Sequence, residues 1–321
     1  MRRLLALALV VWAAPAAAAT FTVTNTSDSG PGSLRQAIQD ANGSFGSDEI
    51  VFAIPGSGVH TIVLASALPP ITQPVILDGY TQPGSSPTQP AGQGLNTALA
   101  IEIDGTGAGS SPCLTVNAGN DQLFVMAVQG LAINRCAQTA ILVGAGGDGA
   151  SIAGNFIGTD PTGTTGPGGL NNVGVHVDGA DLVGVGGSTP FERNLISSFD
   201  GFGVLLQNST GSAIRGNLIG TTATGDAIIP ASPGVANSGV SVSSTALANI
   251  GGSSEADGNV IDGFGMASSC LATPASFGGT SSGRTRRARS RSATGSESTW
   301  VPAPSRSFRR TSSRATERGF L

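Results

Sequence analysis

The chain contains no lysine, and its arginines are unevenly placed. Residues 20–283 hold 18 acidic side chains but only four arginines, so this body has a net charge near −14. The last 38 residues hold ten of the sixteen arginines against two glutamates. An acidic body argues against binding of nucleic acids and other polyanions, and it suits a soluble extracellular protein that self-repulsion keeps dispersed.

Cysteine and aromatic residues are also scarce. Three cysteines, Cys113, Cys136 and Cys270, are few for an exported chain, so disulfides cannot be its main source of stability. Cys113 and Cys136 could pair in an oxidising compartment or remain buried thiols, and the sequence leaves both readings open. Aromatic residues make up 5% of the chain, which argues against a propeller with aromatic-rich, four-stranded blades.

Long apolar runs are absent except at the start of the chain. Arg2 and Arg3 precede an apolar run at residues 4–12 and small residues at 13–19, which predicts a secretory signal peptide over residues 1–19. The run is too short to span a bilayer, and the Ala-x-Ala pattern at 17–19 predicts cleavage near Ala19. We therefore expect a secreted or cell-surface protein with no transmembrane segment after cleavage.

What the chain has in abundance is a repeat. Residues 154–159 (GNFIGT) recur as 216–221 (GNLIGT), a shift of 62. Three further matches have a shift of 65: residues 174–177 with 239–242, 186–188 with 251–253, and 194–196 with 259–261. A fixed period of this length is typical of a solenoid or a propeller.

Short apolar strands within the repeat recur at residues 140–143, 174–177, 203–206 and 239–242, in steps of 34, 29 and 36. Two further strand candidates lie between successive copies, separated by Gly, Asn, Asp and Ser turn residues. Three short strands per step predict an all-β fold, a right-handed parallel β-helix. Asn155, Asn194, Asn217 and Asn259 recur at the corners, where they either stack as inward amide ladders or simply form turns.

The region before the repeats has a different sequence pattern, which predicts a helix. Ser33 to Gln36 forms a capping-box pattern that opens a helix with Leu34, Ala37, Ile38 and Ala41 on one face. A short amphipathic helix here is placed to cap the open end of a solenoid. We predict an N-terminal cap and first coils over 20–112, β-helix repeats over 113–266, and a disordered basic tail over 267–321.

Three segments resemble a known group. The stretches FTVTNTSDSGPGSLRQAI, DEIVFAIPGSGVHTIVL and ILDGYTQPG, with the GNFIGTD and GVHV repeats, resemble bacterial exported or cell-surface proteins with pectate-lyase-like, right-handed parallel β-helix repeats. Many members have a cysteine before the Ser-Leu-Arg element, whereas this chain has Gly32. The resemblance implies the fold, but it implies no single activity.

The arginine-rich tail admits three readings: a phosphate-binding segment, a disordered tail, or translation out of frame. Re-reading its codons from the third base allows residues 279–285 to encode GNLIGTD, the next copy of the repeat motif. Residues 286–288, 296–300 and 311–313 likewise allow PTG, VGVHV and NLI in the right order. We therefore favour a reading-frame slip between residues 265 and 279, and we assign the tail no nucleic-acid partner.

Enzymes with this fold act mainly on carbohydrates, so the relevant candidates are the catalytic residues and metal ligands that such enzymes need. Elimination from a uronate polymer needs carboxylates that bind Ca²⁺ and a base near the reacting carbon. The candidates are Asp178, Asp181 and Asp200, with Arg193 and Arg215 as bases, although an isolated Asp in a turn is usually a turn former. Asp160 is a candidate Ca²⁺ ligand, and otherwise the sequence predicts no cofactor.

His176 has Ser241 as its repeat counterpart, which favours a tolerated variant over a catalyst. The sequence thus leaves two functions open. The first is a non-enzymatic rigid solenoid that binds an extracellular polysaccharide or a cell surface. The second is a polysaccharide lyase or glycoside hydrolase acting along one side of the same fold.

Overall fold

The computed structural model describes residues 18–46, 48–89, 94–120, 125–167, 172–229, 238–243 and 246–264, and the backbone of strands at 266–270, 276–277 and 281–282. Within these residues the named strands pair in parallel in three sheets. Sheet A contains β1 (Thr20–Val23), β2 (Asp48–Phe52), β4 (Val75–Asp78), β7 (Ala127–Gln129), β10 (Ser151–Ala153), β13 (Gly184–Gly186), β16 (Thr210–Arg215), β19 (Leu247–Ile250) and β22 (Ser276–Phe277).

Sheets B and C have the same parallel arrangement. Sheet B contains β3 (His60–Val63), β5 (Ile101–Asp104), β8 (Ala132–Asn134), β11 (Phe156–Ile157), β14 (Leu195–Ile196), β17 (Leu218–Ile219), β20 (Val260–Ile261) and β23 (Ser281–Ser282). Sheet C contains β6 (Leu114–Val116), β9 (Thr139–Val143), β12 (Val173–Asp178), β15 (Phe202–Gln207), β18 (Ser238–Val242) and β21 (Met266–Cys270).

From β4 onward the chain visits sheets A, B and C in rotation, and we call each such passage a circuit. Strands β12 and β18, which the 65-residue repeat relates, both neighbour β15 in sheet C. The long repeat therefore spans two circuits, as the steps of 34, 29 and 36 predicted. The all-β class with parallel strands is confirmed.

The inward side chains of the three sheets form one apolar core. Strands alternate buried and half-buried residues, for example Val175 and Val177 inward against His176 and Asp178 outward in β12. Val204 and Leu206 are the Cα partners of the two valines one circuit on. Burial of like side chains on like, circuit after circuit, is what favours Val, Ile and Leu at these positions.

A second apolar cluster lies outside sheet B, and the sequence reasoning missed it. From β8 to β20 each circuit turns one apolar residue outward beside an inward isoleucine, as with Phe156 beside Ile157. Leu95 and Leu99, from the loop after β4, cover this face, and the Leu95 N–H donates to the Ala223 oxygen at 2.6 Å. The full cluster is Leu95, Leu99, Ala132, Phe156, Leu195, Leu218 and Ala223. From β8 to β17, sheet B is therefore apolar on both faces.

Helix α1 (Leu34–Asn42) lies between β1 and β2 and buries Leu34, Ala37, Ile38 and Ala41, the predicted face. Only half of the predicted capping box forms. Ser33 Oγ accepts from the Gln36 N–H, but the Gln36 side chain donates to Asp40 at 2.7 Å instead of reaching back.

Arg35 anchors this helix to the neighbouring loops. Its guanidinium binds the Asp28 carboxylate at 2.6 Å and the carbonyl oxygens of Ser66 and Ala67. Burial alone would raise the Asp28 pKa, but the hydrogen bond and charge of Arg35 and the Ala65 N–H outweigh it, so the pKa lies below its usual range.

The four repeated asparagines form the predicted ladder at the corner between sheets A and B, and all are fully buried. The Oδ1 atom of each residue after the first accepts from the backbone N–H and the Nδ2 of the asparagine one circuit earlier, at 3.0–3.3 Å. The Nδ2 groups also donate to backbone oxygens, as Asn194 does to Ile152 at 2.8 Å. The interpretation that these asparagines stack as an inward amide ladder is confirmed, and the interpretation that they only form turns is wrong.

Cys113 and Cys136 form a disulfide, with a sulfur–sulfur distance of 2.04 Å, and both are fully buried. Their pairing requires glycine at position 105, where an added Cβ would lie 2.1 Å from the Cys113 sulfur. The bridge joins the segments after β8 and before β6, and so ties two successive circuits.

Strands β21 to β23 fall in the segment that we expected to be disordered, and they extend all three sheets. The Cα partners of Ser281 and Ser282 are Val260 and Ile261, which is where the frame-slip reading places Leu-Ile. Residues 283–321 lie outside the described residues, so the frame slip stays a prediction. Helices in the described part of the chain are all too short or too polar to cross a membrane.

Asn194→Ala should lower the free energy of unfolding by about 2–3 kcal/mol, because it removes the acceptor of the buried Asn155 backbone N–H and the donor to the Ile152 oxygen. Urea unfolding measures the change. Asn249→Ala, on the exposed face of β19 and outside the ladder, is the matched control and should lower stability by less than Asn194→Ala does. Equal losses in the two variants would contradict a structural role for the ladder.

The disulfide predicts a thiol count. The denatured chain should titrate one thiol before reduction and three after it, and Cys270→Ala should reduce these counts to none and two. Replacing both Cys113 and Cys136 by alanine should cost about 3 kcal/mol, the loop-closure contribution of a 23-residue separation. Three thiols in the unreduced chain would rule out the bridge.

Candidate functional site

The residues proposed from sequence as a catalytic group lie at different corners. Asp178 ends β12 in sheet C, and Asp181 lies in the turn from sheet C to sheet A. Asp200 lies in the turn from sheet B to sheet C, whereas Arg193 and Arg215 lie at the corner between sheets A and B. The structure brings Asp178 and Asp181 to one corner and leaves the other three residues at two others.

Asp181 has a structural role in its turn. Its carboxylate accepts from the Thr210 N–H of the next circuit at 2.6 Å, and its own N–H donates to Asp148 Oδ1 of the previous circuit at 2.8 Å. The two aspartates thus link successive turns through hydrogen bonds between side chain and backbone. This agrees with the prediction that an isolated Asp in a turn stabilises the turn.

Arg215 lies close to a carboxylate rather than to an open site. Asp257 accepts from the Ser188 hydroxyl at 2.5 Å and from the Ser254 N–H and hydroxyl, and the positive charge of Arg215 is nearby. The Ser188 hydrogen bond is the largest influence, followed by those of Ser254, and together with Arg215 they lower the Asp257 pKa to about 2.

The Asp160 carboxylate, the candidate Ca²⁺ ligand, is engaged within its own loop. It accepts from the Thr162 hydroxyl and from the N–H groups of Thr164 and Thr165, at 2.5–3.1 Å. Burial would raise its pKa, but these hydrogen bonds outweigh that effect and lower it. Among the described residues, no three His, Cys, Asp or Glu side chains lie together as a metal site would need.

The outer face of sheet C carries several half-exposed polar side chains. We define the sheet C face as the outward residues Thr115, Leu142, His176, Asp178, Leu205, Gln207 and Ser241, with Asn208 at the end of β15. His176 Nε2 lies 2.8 Å from Gln207 Oε1, and Asn208 Nδ2 donates to Asp178 Oδ1 at 2.9 Å. These contacts join β12 and β15 side by side.

Leu142 and Leu205 flank His176 on the neighbouring strands, since both are its Cα partners. The face thus alternates apolar and hydrogen-bonding side chains on a flat, rigid support. Sequence reasoning did not select Gln207 or Asn208. Aligning the strand repeats by their glycines would have placed Gln207 opposite Asp178 and marked the face.

A shallow cleft of about 180 Å³ lies between β1 and α1, lined by residues that include Thr22, Ser33, Gln36 and Asp40. This volume is below the range of roughly 300–1,000 Å³ that is typical of small-molecule sites. The cleft does not resemble an enclosed active site.

No protein-family model matches this chain, and no curated protein sequence matches it.

The low pKa of Asp257 predicts a stability difference in acid. A carboxyl group whose pKa is depressed in the folded state stabilises the fold above its unfolded pKa of about 3.9, and this contribution disappears as the pH falls through about 2. Asp257→Asn should therefore be less stable than the parent at pH 6, and the two should converge by pH 2. Urea unfolding at both pH values measures this.

Glu255→Gln, in the same 3-10 turn but exposed, is the matched control and should lower the stability at pH 6 by less than Asp257→Asn does. A pH-independent gap between Asp257→Asn and the parent would contradict the hydrogen-bonded carboxylate.

Proposed function

We propose that the chain is a right-handed parallel β-helix that is exported and acts without catalysis, as a rigid rod whose sheet C face binds glycans or a cell surface. The rotation of parallel strands through three sheets supports the fold, since parallel crossover connections are almost always right-handed. The segments that resemble bacterial cell-surface β-helix proteins and the leader-like residues 1–19 support export.

The observation that carries the binding proposal is the difference between the outer faces. From β8 to β17 the outer side chains of sheet B are buried, in the cluster that includes Leu95 and Leu99. Sheet C instead presents His176, Gln207 and Asp178 half-exposed between leucines. Sugars present hydroxyl groups beside apolar C–H patches, and a face of mixed polar and apolar side chains complements both.

The charge of the body favours a neutral glycan. With a net charge near −14 over residues 20–283, the chain repels polyuronates at long range unless a cation bridges them. Two of the candidate cation ligands, Asp160 and Asp181, already accept hydrogen bonds from backbone N–H groups.

Binding of the exported protein to immobilised neutral β-glucan and to a polyuronate tests this function. We expect retention on the neutral polymer, and we expect His176→Ala with Gln207→Ala to weaken it by about tenfold or more, because contact energy concentrates in few side chains. Gln129→Ala, a half-exposed glutamine on the outer face of sheet A, is the matched control and should bind as the parent does.

Equal binding by the sheet C variant and the parent would overturn the choice of face. Retention on neither polymer nor on whole cells would overturn the binding function itself.

The second function is a polysaccharide lyase or hydrolase, and one observation favours it. His176 and Asp178 project from the same side of β12, next to Gln207 and Asn208, so a base and a carboxylate share the exposed face. Release of unsaturated or reducing ends from a polysaccharide panel, abolished by Asp178→Asn, would support this function. Intact polymers after incubation with the parent protein would exclude it.

A further inference from the structure

Asp48, at the start of β2, is a buried carboxylate without a cation. Asp48 is 1% exposed, and its Oδ2 atom is buried with no hydrogen-bond partner. Its Oδ1 atom accepts a hydrogen bond from the Ala19 backbone N–H at 2.8 Å. Neither ion pair among the described residues includes it, since these are Arg35 with Asp28 and Arg135 with Asp104.

A buried charge with one neutral donor is costly, and the cost is offset when a cation with further donors binds it. The backbone nitrogen that donates to this carboxylate is that of Ala19, which lies at the end of the leader-like segment. A peptide N–H supplies one donor and no charge. The same nitrogen as a chain terminus is an ammonium group with three donors and a full positive charge, which matches the unsatisfied carboxylate.

We propose that the exported chain begins at Ala19 and that its α-ammonium group binds the Asp48 carboxylate. The proposal rests on the export inferred above, and it moves the cleavage expected from sequence by one residue. Ala16 and Ala18 supply the Ala-x-Ala pattern for this cut as well as residues 17 and 19 do for a cut before Thr20.

The structure distinguishes these cuts. Cleavage before Thr20 removes the Ala19 nitrogen from Asp48, and it also removes the Ala19 oxygen that accepts from the Glu49 N–H at 2.9 Å. Cleavage before residue 17 leaves a neutral amide at Ala19. Only a chain that starts at Ala19 keeps both hydrogen bonds and places the positive charge beside Asp48.

N-terminal sequencing of the exported protein is the first test. The full chain is expressed in a secreting bacterium and recovered from outside the cytoplasm, and we expect Ala19 as the first residue. A first residue at Thr20 or at position 17 overturns the proposal and leaves export standing. A chain that keeps its leader inside the cell overturns export and this proposal together.

Amine labelling of the exported protein is the second test. Because the chain has no lysine, the α-amino group is the only primary amine. We expect an amine-acetylating reagent to label the folded protein at least about tenfold more slowly than the protein unfolded in urea, because the ammonium group is held by Asp48. This comparison needs no variant.

Asp48→Asn should raise the labelling rate of the folded protein towards the unfolded rate. Glu49→Gln removes the neighbouring charge on the opposite, half-exposed side of β2, and it should label as slowly as the parent. Equal labelling of folded and unfolded parent protein would overturn the ion pair, even if the chain starts at Ala19.

Discussion

The structure depends on the amide ladder at the corner between sheets A and B. A corner between two parallel strands turns backbone groups away from both sheets, so these groups need partners that the sheets do not provide. Asn194, for example, donates to the Ile152 oxygen of the previous circuit and to the asparagine of the next circuit at once. The ladder therefore fixes the angle of the corner and the register between circuits together. A shift by one residue would break it and would also turn the inward valines outward.

The ladder also explains the glycines that follow it. Gly158 and Gly220 end the sheet B strands with φ near +85° and +82°, and an added Cβ would lie about 2 Å from a backbone oxygen of the next circuit. Circuits stacked this closely leave no room for a side chain there. The repeated Gly-Asn-x-Ile-Gly-Thr motif thus forms a corner, a strand and a second corner. It recurs because each circuit needs the same backbone geometry, and its recurrence does not indicate a catalytic site.

Much of the fold could be predicted because it is local or periodic. The strands near residues 140, 174, 203 and 239 and the buried face of α1 follow from repeats and from helical spacing. The cover over sheet B could not be predicted, since it joins Leu95 to Ala223 across 128 residues of sequence with no shared pattern. The candidate site was harder still. An Asp that completes a turn and an Asp that binds a ligand look alike in sequence, and only the hydrogen bonds of Asp181 and Asp160 separate the two.

The cover over sheet B also implies an order of assembly. From β7 onward each described strand pairs with the strand one circuit before it, so a chain that folds from its N-terminus finds each template strand already in place. The hydrogen bond between Leu95 and Ala223 has to wait for four further circuits. Until then the outward Phe156 and Leu195 stay exposed to solvent. The growing stack of circuits therefore passes through a stage in which one side exposes apolar residues and is prone to aggregation.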